Sequence, residues 1–342
     1  MIDVSLLICT RDRAAALPAL LASITRAAQH SDPAVEVVIV DNGSRDDTPG
    51  LLAAWRDAQR FPVRLLHEER PGLARARNRG LDAVRGRIVA MTDDDCVLHS
   101  DYLEALVRVF AEVGGPAIVG GRILPGDPRD LAVTLKLEDH PMVAPAGGFP
   151  GGFVMGANLA MTRDVIARVG AFDTRFGAGA PFVAAEDTDF LFRALGLAIP
   201  VRYDPRFVVD HHHGRRDIAD ETRLLAGYSF GDGALYAKHA FRDSRIATFL
   251  CRDIAALRLD ISRPITTHHG ITHFRAFCLR HKLRGMIAFA AAGVRTALHD
   301  GRRRPPVARA SRPPLRPWRA KRASGAEARQ PSRAESPPGH SR

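Results

Sequence analysis

Four short apolar runs near the start of the chain, each followed by a helical pattern, leave few folds open to it. "DVSLLIC" (3–9), "VEVVIVD" (35–41), "VRLLH" (63–67) and "RIVAMTD" (87–93) read as strands. Helical spacing fills about 14–28, 46–59, 72–84 and 101–113. Strands without polar alternation need cover on both faces, and single helices between them imply parallel crossovers. The expected architecture is α/β, a doubly wound, mostly parallel, Rossmann-like sheet whose ligands bind beyond the C-terminal strand ends. Three successive ends carry "CTRDR" (9–13), "DNGSRDD" (41–47) and "TDDDC" (92–96), so these polar clusters should meet in one crevice.

The third cluster sets a problem. Asp93, Asp94 and Asp95 repel one another, and burial at a strand end worsens the repulsion. Either they face water and cap the next helix, or something positive sits among them. Asp93-x-Asp95 offers hard oxygen ligands to Mg²⁺ or Mn²⁺, which would also recruit a diphosphate. In "VVIVDNGSRDDT" (37–48), Asp41 can accept hydrogen bonds from a nucleobase or ribose, or the stretch is an ordinary strand–turn–helix junction. In "PGLARARNRGL" (71–81), Arg77 and Asn78 sit on a helix that can reach the crevice or face solvent.

Beyond "AIVGGRIL" (117–124) the pattern loosens into a Pro- and Gly-rich stretch over 125–152. "GGFVMGANLAMTR" (151–163) resumes as a strand, 163–170 as a short helix, and 184–197 as a helix opening on its acids. Two strand-like pieces follow, around "PVRYD" and "RFVVDHHH". From about Asp217 to His299 the chain reads as helical, with breaks near Arg263–Pro264 and Gly270. Net charge has to be located before it is interpreted. Residues 302–342 hold twelve lysines and arginines against Glu327 and Glu335, ten of the eleven net positive charges. That Pro/Arg/Ser-rich segment reads as a disordered basic tail, or as one that contacts anionic lipid or nucleic acid.

Taken together and in order, "SLLICTRDR", "VVIVDNGSRDDT", "GLARARNRGL", "IVAMTDDDCVLHSDYL", "GANLAMTRDVIARVGAFDTRF" and "AEDTDFLFRAL" resemble glycosyltransferase family 2. The resemblance covers roughly 3–215 and implies a GT-A fold that binds a nucleotide-sugar donor, a UDP-sugar before others. On it, Thr10 and Arg11 line the nucleotide pocket, Asp41 contacts uridine or ribose, and Arg77, Asn78, Asp93, Asp94 and Glu186 complete the donor site. Asp93 and Asp95 become the metal-binding D-x-D acids, with Mn²⁺ or Mg²⁺ as cofactor and Asp95 the direct ligand. Asp187, of the Glu186-Asp187 pair, becomes the general base of an inverting transfer. Some relatives add a histidine ligand. Of His211, His212 and His213, strand alternation lets one or two face the site, and we take His212.

The implied organisation is a catalytic domain over 1–216, a helical extension over 217–300 and a tail over 301–342. The implied acceptor is a lipid carrier, a glycan or a small molecule, as in cell-envelope polysaccharide synthesis. Two rivals stand beside this reading. A sugar-phosphate nucleotidyltransferase would carry a glycine-rich phosphate loop after its first strand, where "CTRDRAAAL" has none. A nucleic-acid or anionic-surface binder would act through the tail, but that charge lies outside the folded region and lacks interleaved aromatics, which suits nonspecific binding at most. Four dispersed cysteines and a start without basic residues fit a cytoplasmic protein. The apolar and basic positions of 270–299 add peripheral contact with an anionic membrane on the inner face of the cell membrane.

Overall fold

A computed structural model of the chain describes residues 2–262 and 270–303. The tail expected beyond them lies outside the described residues. Chain order begins β1 (Val4–Thr10), α1 (Leu17–Gln29), β2 (Val35–Asp41), α2 (Thr48–Asp57), β3 (Val63–His67), α3 (Leu73–Leu81) and β4 (Ile88–Asp93). It continues with β5 (Cys96–Leu98), α4 (Tyr102–Val113), β6 (Ile118–Pro125), β7 (Met142–Val143), β8 (Asn158–Thr162), α5 (Arg163–Val169) and α6 (Glu186–Gly196). β9 (Val201–His211), α7 (Ile218–His239), α8 (Arg245–Ser262) and α9 (Phe274–Arg303) complete it.

The sheet runs β3-β2-β1-β4-β8-β6-β9-β5, with β7 paired to β9. β1 is parallel to β2 and β4, and β2 to β3, as the unalternating runs predict. Side chains along β1 then divide by parity. Leu6 and Ile8 face α1 and α4, whereas Leu7 faces α3, α5 and α6, so each face of the sheet has its own core. The register sets Thr10 beside Asp41 and Cys9 beside Asp93, and the polar strand ends meet on one edge.

Three expectations change in the second half. β8 covers only Asn158–Thr162 and lies antiparallel to both β4 and β6. The two strand-like pieces near 201–211 are one strand, β9, parallel to β6 with a register shift between Gly120 and Arg122. The described residues up to Ala297 form one compact unit. The expected divide at 216 is therefore a change of architecture inside one body. α7, α8 and α9 join that body through Phe176, Phe182, Phe192, Tyr236 and Phe249. Fully buried Asp189 of α6 ties α7 to it, accepting from Lys238 Nζ (2.7 Å) and facing His239 Nε2 at 2.8 Å. Among the described residues no helix is long and apolar enough to cross a membrane.

Candidate active site

The strand-end edge opens into a cavity of about 610 Å³. Its acids answer the question raised by "DDD". Asp93 Oδ1 lies 3.5 Å from Arg77 Nη2, Asp94 Oδ1 is 3.1 Å from Arg13 Nε, and Asp95 faces both Arg13 (3.3 Å) and His211 (3.2 Å). Each carboxylate thus has its own cationic neighbour, and the repulsion is offset without exposing all three. Their protonation diverges accordingly. Burial pushes the Asp94 carboxyl up to about 6, with Arg13 opposing. Burial also raises Asp93 against the pull of Arg77. For Asp95, burial is outweighed by His211 and Arg13, which hold it below the usual carboxylate range.

Arg77 is the hinge of the opposite wall. It is 3% exposed on α3, donates from Nη1 to Glu186 Oε1 at 2.8 Å, and lies over the Phe172 ring. A guanidinium can be buried here because two carboxylates and a π-face replace its water. Glu186 pays attention to both sides of that exchange: burial, then the Asp187 charge, push it up to about 7, while Arg77 pulls it down. Asp187, next along α6, is half-buried in the cavity wall. Its Oδ2 accepts from the Gly156 N–H (3.0 Å) and its Oδ1 from the Thr188 N–H (2.6 Å). Backbone donors and the first turn of a helix both favour an ionised, oriented carboxylate.

The nucleotide-side expectations divide. Thr10 and Arg11 line the cavity. Asp41 does not: its oxygens accept from the Ser44 N–H (3.1 Å) and face His67 Nδ1 (3.0 Å), so it closes its own turn. Asn42 lines the cavity in its place, donating to the carbonyls of Glu68 and Arg70 and accepting from the Gly72 N–H, each at 2.8 Å. Asn78 also stays outside the lining, because its amide exchanges two hydrogen bonds with the backbone of Phe172 (2.9 and 2.8 Å). Arg13 is a cavity residue that sequence reading passed over. Its only local signal was its place in the first strand-end cluster.

The histidine expectation is corrected. His211 is buried against Asp95, whereas the side chain of His212 is exposed on the other side of the strand and meets Gly126. The phase comes from pairing, since His211 sits opposite Cys96 of β5. Ligand atoms of Asp95, Cys96 and His211 lie within 4.8 Å of one another. Asp95 Oδ1 is buried and receives no hydrogen bond of acceptable geometry, although His211 is close. An orphaned carboxylate oxygen facing an imidazole fits a hard divalent cation. Cys96 does not fit as a ligand for one: its thiol donates to the Ala157 carbonyl, and burial raises it well above its usual range. Asp93 is turned to Arg77 and lies outside the group.

Comparison with known proteins gives the same bearing. Residues 5–170 match the model of the family Glycosyl transferase family 2. The chain is similar to the glucosyl-dolichyl phosphate glucuronosyltransferase of Haloferax volcanii, 28% identical over 159 residues, 44% of this chain and 49% of that protein. It is also similar to the pre-mycofactocin glycosyltransferase of Mycobacterium tuberculosis, 27% identical over 249 residues, 69% of this chain and 48% of that protein. Each match thus spans less than half of the relative's length. Among solved structures, the mannosyltransferase PcManGT from Pyrobaculum calidifontis, in complex with GDP-Man and Mn²⁺, aligns with a TM-score of 0.54. That alignment covers 87% of this chain and 79% of the other at 20% identity, and the shared fold is that of GT-A glycosyltransferases.

Proposed function

Because the chain belongs to glycosyltransferase family 2, we propose that it moves a sugar from a nucleoside-diphosphate sugar, a UDP-sugar foremost, to an acceptor hydroxyl with inversion. One observation carries the reading: Asp187 opens α6 in the cavity wall with both oxygens oriented by backbone N–H groups. A carboxylate so held is aimed, as a general base must be.

In the proposed step Asp187 accepts the proton of the acceptor hydroxyl. The freed oxygen bonds to the anomeric carbon as that carbon's bond to the leaving diphosphate breaks, so a single in-line displacement inverts the centre. Thr10, Arg11 and Asn42 bind the nucleotide end, and Arg77 keeps Glu186 and Asp93 in place beside the reacting groups. Asp95 and His211 would hold Mn²⁺ or Mg²⁺, which offsets charge on a leaving diphosphate. A screen of UDP-glucose, UDP-galactose, GDP-mannose and dTDP-rhamnose for slow hydrolysis tests the reading. At least one should be cleaved faster with Mn²⁺ than with chelator. Cleavage of none, with sugar-1-phosphate and nucleoside triphosphate joined instead, would favour a nucleotidyltransferase.

A second element of the reading concerns place. Leu283, Ile287 and Val294 of α9 are 45, 70 and 59% exposed, with Arg280 and Arg284 beside them. Leu279, Lys282 and Gly285 take the packed side of that helix. Peripheral attachment to an anionic membrane would use this face, each basic residue adding about 1 kcal/mol at low salt. Ile287→Glu should lower flotation with anionic vesicles, and equal flotation of the two proteins would end this part of the proposal.

A further inference from the structure

One wall of the cavity comes from no strand end. Leu224, Tyr228 and Asp232 line it from α7, four residues apart, which sets them on one helical face. The helix is held at that wall by close approaches on its other sides. A Cβ on Gly231 would come within 2.9 Å of the Ala184 backbone, and one on Gly285 of α9 would overlap the Phe230 carbonyl. The backbone that carries Tyr228 and Asp232 is therefore fixed in place.

Their chemistry is incomplete as it stands. Among the described residues Asp232 accepts no hydrogen bond and makes no ion pair. Lys282, whose charge acts on it, gives its ammonium to Asp253 (2.7 Å) and the Tyr236 hydroxyl (3.3 Å). Burial pushes the Asp232 carboxyl up to about 7, Lys282 opposes, and Asp187 and Asp253 add to the rise. Asp187 is thus within electrostatic reach. Tyr228 leaves 42% of its surface open beside the acid, and Val183, 49% open, borders the same space. An acceptor without a donor and an uncovered ring suit a ligand with hydroxyl donors around an apolar C–H face. A sugar ring has both. An ammonium ligand would meet the same two groups, but Lys282 acts on Asp232 and Arg215 on Tyr228 with like charge.

We propose that this face of α7 is the acceptor subsite and that the acceptor is a glycoside. Its ring lies on Tyr228, one hydroxyl donates to Asp232, and a second is thereby presented to Asp187. The inference rests on the reading of Asp187 as the base.

Ligand-observed NMR on the full chain with UDP and Mg²⁺ tests it, using the methyl glycosides of glucose, galactose, mannose and N-acetylglucosamine as probes. At least one should show saturation transfer. Tyr228→Ala should abolish it, Tyr228→Phe should keep it, and Asp232→Asn should weaken affinity about tenfold, the worth of one hydrogen bond to a charged acceptor. The UDP signals should stay alike in all variants. Binding of no glycoside overturns the proposal, as does undiminished binding in Tyr228→Ala and Asp232→Asn, or displacement of the glycoside signal by tetramethylammonium instead of a second glycoside. Failure of the glycosyltransferase reading is seen separately, as absence of nucleotide-sugar hydrolysis by the unaltered protein.

Discussion

Two groups of acids line the cavity, and they are stabilised by different means. At the end of β4, Asp93, Asp94 and Asp95 are each matched to a side-chain cation, from Arg77, Arg13 and His211. At the start of α6, one buried guanidinium serves Glu186, while Asp187 takes backbone N–H donors instead. The difference separates roles. Carboxylates paired only with side chains, as Asp94 and Asp95 are with Arg13 and His211, are suited to exchange those partners for a metal or a diphosphate. A carboxylate on fixed amides keeps its position and orientation.

The sharpest test of that contrast is Asp187→Asn. It preserves shape and removes the proton acceptor, so transfer should fall about 10²–10⁴-fold while UDP binding by calorimetry stays nearly unchanged. Near-normal turnover would reduce Asp187 to a helix-start acid.

Arg77→Met breaks the link between the two groups. It leaves Glu186 and Asp93 without their shared cation, and removing one partner of a buried pair costs about 3–5 kcal/mol. Urea unfolding should report a loss of that order, and a loss below about 1 kcal/mol would mean that water or another cation already serves these acids.

Asp95→Ala acts on the β4 side alone. UDP should bind the unaltered protein more tightly with Mn²⁺ than without, and the variant should lose most of that gain, about 10–100-fold in affinity. Metal-independent affinity in both proteins would remove the metal from the reading.

The smallest effect expected is a slope. The folded-state pKa of Glu186 is raised from 4.5 to about 7. The folded chain therefore binds this proton more strongly than the unfolded one. Its contribution is most favourable below pH 4.5 and is lost as pH rises through about 7. One such proton changes stability by at most about 1.4 kcal/mol per pH unit. Glu186→Gln should flatten the fall of stability between those limits, and an unchanged slope would show that Arg77 keeps Glu186 ionised throughout.

Much of this molecule was legible in local pattern. Unalternating runs such as Val35–Asp41 announce strands covered on both faces, because their apolar side chains point to both. Once four such strands are parallel, their polar ends have to share an edge, and Thr10, Arg11, Asp93 and Asp94 line the cavity there. Glu186 and Asp187 were placed at a helix start by the acids that begin it.

What local pattern lacks is the phase and the partner. Alternation shows that adjacent histidines face opposite ways, but only the pairing of β9 with β5 and β6 turns His211 inward and His212 out. Asp41 and Asn78 carry the right chemistry for a nucleotide, yet Ser44 and His67 meet the one and the Phe172 backbone the other. Arg77 is surface-like by composition, and becomes a buried hinge because a glutamate 109 residues away arrives beside it. α7 reads as one more helix until tight approaches at Gly231 and Gly285 seat it as a wall. A sequence determines period, burial and propensity, since these depend on neighbours a few residues apart. Which distant groups share one desolvated space depends on how whole elements close over the sheet, and only the tertiary structure decides that.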